Sequence, residues 1–254
     1  MERPQVKAPD IREKGAAGQA TDRRLYMQLL AFAYCPDPGE LIDAAQTHRL
    51  NATIYEDVND PTSCALLTWT EDPADLVEKV RPMVQSLEDP VLNHDYTMLG
   101  RTYSLGYEHD LVETLIERPI RHATNPAWPW AVWYPLRRKG EFSRLDRDTQ
   151  MSILKEHGVI GMGFGEGDHA HDIRLASHGL DANDNDFTIG LVGKDLAPLS
   201  ILVQTMRKTQ QTALHIEKLG LQPVQRENTE YEFDIVATIN MECEFVAQKT
   251  RCPE

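Results

Sequence analysis

The order of predicted strands and helices repeats along the chain, and this repeat constrains the fold more than any other feature. In the first half, strand candidates are followed by helices that begin at Asp37-Pro38 and Asp72-Pro73. The strand candidates are Leu25–Cys35 and the segments ATIYEDV, SCALLTWT and DYTMLGRTYSLGYE. The order strand, helix, two strands, helix, strand is a split βαβ, or ferredoxin-like, unit.

The second half repeats this organisation. WAVWYPL is a strand candidate, FSRLDRDTQMSILKEHG is a helix, AHDIRLAS and NDFTIGLVG are strands, and a long helix begins at Asp195. The sequence therefore predicts an α+β fold in which two ferredoxin-like (split βαβ) halves form a dimeric α+β barrel within one chain. A pocket is expected between sheet and helices.

The domain boundaries follow from composition. Residues 1–21 are polar and predict a flexible arm, and residues 22–118 form the N-terminal half. The Pro-rich residues 119–127 are expected to be a linker, followed by the C-terminal half, 128–225. Residues 226–254 alternate apolar and polar side chains, which is typical of an extra hairpin or an extension used in assembly.

The charge of the chain restricts its partners. The formal net charge of −14 and the pI near 5.1 argue against nucleic acid and anionic membranes, which would repel an acidic surface. No apolar run reaches the roughly 18–20 residues of a membrane span, and the first residues lack the apolar core of a signal peptide. We expect a soluble, cytoplasmic protein with a small-molecule or protein partner.

The cysteines show no ligand spacing. Cys35, Cys64, Cys243 and Cys252 are far apart in the sequence and form no CxxC motif, so neither a zinc knuckle nor a redox pair is indicated. Buried or idle thiols are the expectation.

Four alternating glycines, Gly161, Gly163, Gly165 and Gly167, invite comparison with a phosphate-binding loop. A dinucleotide fingerprint follows a strand and opens a helix, whereas these glycines follow a helix and lead into a strand. We therefore expect them to let the helix stop and the chain turn.

His157 then lies in the last turn of this helix, on or beside its buried apolar face, where a histidine commonly caps a helix.

His169 and His171 share one strand face by alternation, so a metal pair is conceivable. Without a third ligand, a solvated turn is the simpler interpretation.

Beyond these patterns, the segments WAVWYPLRRKGEFSRL, ILKEHG, IRLASHGLDANDNDF and MRKTQQT, in this order, resemble the chlorite dismutase family. That family also contains the coproheme decarboxylases. The resemblance is strongest over about Trp128–Gly220. It implies that His157 is the axial ligand of haem iron, and a neutral imidazole on an apolar wall suits that role. It also implies that Tyr134, in the Tyr134-Pro135 pair, is the catalytic tyrosine.

Cationic side chains near the tyrosine match a polyanionic porphyrin. Arg137, Arg138 and Lys139 follow Tyr134-Pro135 closely, and Arg101 of the first half adds a further candidate. A solvated basic turn would have the same composition.

The sequence departs from the family at several positions. Phe142 is the only aromatic residue where many relatives have a Trp-rich stretch. The distal arginine of chlorite dismutases matches Ala170 or Asp172, and Arg174 has the strand parity of Asp172. Gln210 and Gln211 are the nearest counterparts of the glutamate that orients the axial histidine, and their lack of charge implies a weaker electron push on the iron.

The resemblance favours a haem-dependent enzyme that uses peroxide to decarboxylate coproheme to haem b. The alternatives are a chlorite-decomposing oxygen lyase, a haem peroxidase, and a non-enzymatic haem carrier. The resemblance also implies a homo-oligomer, most simply the pentamer of two-domain members.

Overall fold

A computed structural model of the chain describes residues 7–219 and 236–237. Eleven strands are present in these residues: β1 (Glu13–Lys14), β2 (Ala20–Thr21), β3 (Tyr26–Tyr34), β4 (Ala52–Asp57), β5 (Cys64–Thr70), β6 (Val91–Thr102), β7 (Trp130–Arg138), β8 (His171–Ala176), β9 (Phe187–Gly193), β10 (Ile216–Leu219) and β11 (Val236–Ala237). The α-helices of the same residues are α1 (Pro38–Thr47), α2 (Arg81–Ser86), α3 (Arg118–Thr124), α4 (Arg147–Glu166), α5 (Leu196–Met206) and α6 (Gln210–His215). Single π-helical turns over Leu76–Val80 and Glu113–Glu117 lead directly into α2 and α3, and a 3-10 turn over Phe142–Arg144 precedes α4.

The strands of both halves join in one sheet that closes on itself. The order is β10, β7, β11, β4, β5, β3, β6, β8, β9, and β9 also pairs with β7. The halves meet where β6 pairs with β8, Arg101 opposite Ala176. This arrangement confirms the predicted α+β barrel built from two ferredoxin-like halves.

Three apolar cores follow from strand alternation. One face of the strands points into the barrel interior, where Trp133 and Leu67 pack with Leu115 of the π-helical turn before α3. The opposite face packs outward on helices. In the N-terminal half this outer core includes α1 and α2, and in the C-terminal half it joins Tyr134 and its neighbours to α4 and α5.

The N-terminal arm is more ordered than the sequence predicts. Residues 13–21 form a short hairpin of β1 and β2. The buried Glu13 carboxylate lies 2.7 Å from Arg101 and 3.7 Å from Arg24, and it accepts a hydrogen bond from the Ser104 backbone. A carboxylate shared by two guanidinium groups fixes this segment to the N-terminal half, so the prediction of a flexible arm over 1–21 is wrong for residues 13–21.

Two further boundaries differ from the sequence prediction. The predicted linker 119–127 is helical as far as Thr124, because Ile116, Ala123 and their neighbours pack on the barrel interior. The long helix predicted from Asp195 is divided into α5 and α6 and ends at His215, where the chain continues as β10. Of the predicted extension, 226–254, only Val236–Ala237 lies within the described residues, where it pairs with β4 and β7.

Cys35 and Cys64 form a disulfide, so the prediction of idle thiols is wrong for this pair. The two residues are 29 positions apart in the sequence, but β3 and β5 are antiparallel neighbours and bring the end of one beside the start of the other. Cys243 and Cys252 lie outside the described residues.

Among the helices of the described residues, none combines the length and the apolar composition that a membrane span requires.

Candidate functional site

Helix α4 carries His157 in its middle rather than at its end. The helix begins after Asp146, whose carboxylate accepts a hydrogen bond from the Thr149 backbone at 2.9 Å, and continues through three of the four glycines to Glu166. It ends where Asp168 adopts a φ of 53° and the His169 N–H donates to the Phe164 carbonyl. The prediction that the glycines stop the helix is therefore wrong, and His157 does not cap a helix C-terminus.

The sheet face below α4 and α5 collects most of the predicted site residues. Tyr134 and Arg138 alternate along β7, and Asp172 and Arg174 alternate along β8 on the same face. Tyr134 and Arg174 both lie opposite Ile189 of the intervening β9. The charges of Arg138, Asp172 and Arg174 all act on His157 of α4. We call the region between α4 and this face of the sheet, with these side chains and Tyr134, the crevice.

His157 is half-buried, and its surroundings favour the neutral imidazole. Burial lowers its pKa most, and the positive charge of Arg138 lowers it further. Its Nδ1 lies 3.5 Å from Oγ1 of Thr209. A neutral histidine held through Nδ1 leaves Nε2 as the atom for a metal.

Tyr134 is buried among the apolar residues of this core, which include Leu202 and Ile216. Burial raises the pKa of its phenol, and the negative charge of Asp172 raises it further. The side chain is therefore a protonated phenol at neutral pH.

Arg138 is a predicted cation of the crevice that lies between two aromatic rings. Its guanidinium group stacks 4.9 Å from the Phe142 ring and 4.7 Å from the Phe187 ring. Its buried Nε has no hydrogen-bond partner within the described residues, and burial lowers the pKa of the group. A buried guanidinium nitrogen without an acceptor is suited to bind a carboxylate.

The side chains of Arg101 and Arg137 are engaged elsewhere, and Lys139 is held through its backbone. Arg101 pairs with Glu13, and Arg137 donates to the backbone carbonyls of Asn183 and Asp184 at 3.0 and 2.7 Å. The Lys139 N–H donates to the His215 carbonyl, which fixes its backbone beside β10. The structure thus brings Arg138 and Arg174 to the crevice and holds Arg101 and Arg137 in structural contacts.

The three candidates for the distal position differ in character. Ala170 is buried in the apolar core of the C-terminal half. Nε of Arg174 lies 3.1 Å from the Asp172 carboxylate, and this charge raises the pKa of Arg174. The two side chains remain 36% and 45% exposed although their strand lies inside the sheet, so solvent reaches this pair.

Neither glutamine predicted to orient His157 forms the side-chain hydrogen bond to its imidazole that the structure shows. Gln210 is exposed, and its backbone N–H donates to the Glu156 carboxylate at 3.0 Å. Gln211 is buried, and its Oε1 has no partner within the described residues. The side chain that contacts His157 is Thr209.

His169 and His171 do not join in a metal site. His169 is exposed, while His171 stacks on Trp128 at 3.7 Å and pairs with Asp168 at 2.8 Å. Asp168 also pairs with Lys194, and together these contacts lower its pKa to about 2. Across residues 7–219 and 236–237, no group of three His, Cys, Asp or Glu side chains is arranged to hold a metal ion.

Sequence reasoning missed two residues of the crevice. Tyr103 lies two residues after Arg101, hence on the same face, with its ring 5.7 Å from Phe187 and its pKa raised by burial. The alternation along this strand is the signal that would have found it. No sequence pattern indicated Thr209, because it is 52 positions from His157 and contacts it only where α6 packs on α4.

The residues present fit a flat iron porphyrin. A neutral imidazole on α4 and a protonated phenol in the core on which α4 packs are both present, and the unpartnered Nε of Arg138 offers a donor to a carboxylate. A macrocycle that brings four nitrogen ligands of its own needs only this one protein ligand.

Comparisons with known proteins found one matching family and several solved structures with a similar fold. A family model described as chlorite dismutase matches residues 40–221. No curated protein matches the sequence. The structure is similar to that of a chlorite dismutase from Candidatus Nitrospira defluvii in complex with imidazole, with a TM-score of 0.62 and 13% identity over 90% of this chain and 96% of the other.

Two further solved structures share the fold. A haem-binding protein from Thermus thermophilus has a TM-score of 0.59 and 16% identity, over 86% of this chain and 92% of that one. A provisionally assigned chlorite dismutase has a TM-score of 0.63 and 15% identity, over 89% of this chain and 98% of that one.

Proposed function

Because the chain belongs to the chlorite dismutase family and its cofactor is haem, we propose that it decarboxylates coproheme to haem b at the expense of peroxide. The observation that carries the proposal is the shared environment of His157 on α4 and Tyr134 on β7. The Asp172 carboxylate acts on the pKa of both side chains, and α4 packs on the core that contains Tyr134. One residue is suited to hold iron, and the other is suited to give up a hydrogen atom.

His157 would bind the iron through Nε2. Its lowered pKa keeps the imidazole unprotonated at neutral pH, so no proton has to be displaced before the metal binds. The apolar side chains around Tyr134 and Phe164 would cover the macrocycle and exclude water from it.

Tyr134 would be the catalytic residue. When bound, the iron porphyrin supplies the reaction with peroxide from which oxidising equivalents arise. A phenol that stays protonated can lose its hydrogen atom and then abstract one from a propionate side chain. Overall, each propionate –CH2–CH2–COO⁻ reacts with one H2O2 and one proton to give a vinyl group, CO2 and two water molecules.

The cations of the crevice would hold the carboxylates. Arg138 offers a buried, unpartnered Nε, and Arg174 lies on the opposite side of β9. Lys139 extends the same strand end as Arg138 and would face a propionate at the rim. Arg101 and Arg137 would contribute only if their contacts to Glu13 and Asp184 were exchanged.

Chlorite decomposition is the weaker proposal for this site. It calls for a cation above the distal face of the iron, whereas the charge of Arg174 is compensated by Asp172 at 3.1 Å.

In keeping with the family resemblance, we propose that the active form is a homo-oligomer of the pentameric type.

The test compares the purified protein with Tyr134→Phe and with the control Tyr55→Phe, a buried tyrosine of the barrel interior. Coproheme is bound first, peroxide is added stepwise, and the products are separated by liquid chromatography with mass detection. In wild type and Tyr55→Phe we expect each reacting propionate to lose CO2 and two hydrogen atoms in turn, and in Tyr134→Phe we expect no such loss. Unchanged turnover in Tyr134→Phe, or bleaching without product in wild type, would refute the proposed function.

A further inference from the structure

Thr209 lies at the junction of α5 and α6, directly behind His157. The residue is 1% exposed, and its Oγ1 is 3.5 Å from Nδ1 of His157. The two residues are 52 positions apart, and the contact exists because α6 packs on α4.

The hydrogen bonds of Thr209 define the direction of this contact. Its hydroxyl donates to the Met206 carbonyl at 2.8 Å, which is much shorter than its two other possible donations, to Thr212 Oγ1 at 3.4 Å and to His157 Nδ1 at 3.5 Å. With its proton used for Met206, Oγ1 offers only lone pairs to His157. The contact therefore requires the proton of the imidazole to be on Nδ1.

The surrounding backbone holds Thr209 in place. The Glu156 carboxylate, one residue before His157, accepts a hydrogen bond from the Gln210 N–H at 3.0 Å. The Thr209 N–H itself donates to the Met206 carbonyl at 3.1 Å. The first turn of α6 is thus tied to α4 at the position of His157, and the Thr209 side chain cannot turn away from the imidazole without also breaking its hydrogen bond to Met206.

We propose that Thr209 is a positioning residue that selects the Nδ1–H tautomer of His157 and thereby presents Nε2 to the iron. This inference rests on the proposed function and deepens it. A hydrogen bond to the ring nitrogen that faces away from the metal fixes both the ring and the tautomer of metal-binding histidines. A hydroxyl carries no charge, so it orients the imidazole without the imidazolate character that a carboxylate partner would give.

Two variants separate positioning from stability. Thr209→Val has nearly the same shape but no acceptor, while Thr209→Ser retains the hydroxyl and serves as the matched control. In the apo protein, long-range ¹H–¹⁵N correlation spectra of the imidazole report the tautomer. We expect a predominant Nδ1–H form in wild type and Thr209→Ser, and a shift towards Nε2–H in Thr209→Val.

The loaded protein gives a second readout. We expect Thr209→Val to bind ferric haem about tenfold more weakly and to shift the Fe(II)–histidine stretching band, with Thr209→Ser close to wild type. Because Thr209 also caps α6, thermal unfolding of each variant is measured in parallel. A variant that is merely less stable would lower the melting temperature without changing the stretching band of the folded fraction.

Two outcomes overturn the inference. One is an Nε2–H tautomer in the wild-type apo protein, which needs no variant to be observed. The other is an unchanged tautomer and stretching band in Thr209→Val. The tautomer is read without porphyrin or peroxide, so failure of the decarboxylation assay leaves this test intact, and failure of this test leaves the assay intact.

Discussion

Arg174 directs its Nε at the carboxylate of Asp172, 3.1 Å away on the same strand, and both side chains face the crevice below α4. Nearby positive charge stabilises an anion at the iron, and a compensated cation supplies little of it. The pair thus gives this site a weaker preference for anions than a lone arginine would.

We predict that Asp172→Asn binds anions at the iron more tightly than wild type. The expected gain in affinity of the ferric haem complex for fluoride is about 1.5- to fivefold, which corresponds to the roughly 0.2–1 kcal/mol of an exposed ion pair. Absorbance titration measures it. Asp184→Asn is the control, because that carboxylate pairs with Arg137 instead and should leave the affinity unchanged. Equal fluoride affinity in wild type and Asp172→Asn would show that Arg174 does not act on the iron.

The second prediction concerns stability against acid. His122 is buried, and its Nδ1 donates to the Asp172 carbonyl at 2.8 Å. Burial is the largest influence on its pKa and lowers it below the ordinary value of 6.5. The unfolded chain therefore takes up a proton at higher pH than the folded chain, and the free energy of unfolding should fall as the pH drops below 6.5.

Urea unfolding over a pH series measures this effect. The loss of stability should begin near the ordinary pKa, continue as the pH falls, and level off once folded His122 is protonated as well. His122→Asn should flatten the curve in part, since the lowered pKa of His157 acts in the same direction. His94→Asn, at an exposed histidine, serves as the control for the substitution itself. A stability curve of His122→Asn parallel to that of wild type contradicts the prediction.

Local signals in the sequence were enough to predict the element order and the barrel. Asp37 caps α1 through its carboxylate, and the alternation of Trp133 and Tyr134 assigns one to the barrel interior and the other to the helix-covered face. Each of these signals depends on residues close in sequence, so periodicity and capping rules detect them.

The errors arose where distant residues decide the outcome. Glycine in a helix costs only about 1 kcal/mol relative to alanine, and the packing of Ile160 and Phe164 on the C-terminal core outweighs this cost in α4. Likewise, the partner of His157 was sought among glutamines in a predicted continuous helix. The break between α5 and α6 presents Thr209 instead, and a break of this kind has no sequence pattern.

The third prediction concerns the disulfide between Cys35 and Cys64. It closes a loop across 29 residues, and removing it should lower the free energy of unfolding by about 2–4 kcal/mol, mainly by freeing the unfolded chain. Urea unfolding of Cys35→Ala/Cys64→Ala against wild type measures the loss. Because both residues are buried, we expect reductant to act slowly on the native protein. Thiol titration in denaturant without reductant should detect no Cys35 or Cys64, and finding both would contradict the assignment.

The last prediction uses two glycines with opposite surroundings. Gly190 of β9 lies opposite Trp133 of β7, and a Cβ atom at Gly190 would approach the indole ring to 2.6 Å. Trp133 is buried in the barrel interior and cannot move aside without disturbing it. Gly190→Ala should therefore lower the free energy of unfolding by about 1–3 kcal/mol, the usual cost of overpacking.

Gly163 of α4 supplies the control of opposite sign. A Cβ atom there meets nothing within 4 Å, and alanine favours the helix by about 1 kcal/mol over glycine. Gly163→Ala should thus stabilise the protein while Gly190→Ala destabilises it, and urea unfolding followed by tryptophan fluorescence measures both. The same substitution at two glycines then separates backbone propensity from packing. If both variants gained stability, the close approach of Trp133 to β9 would be wrong.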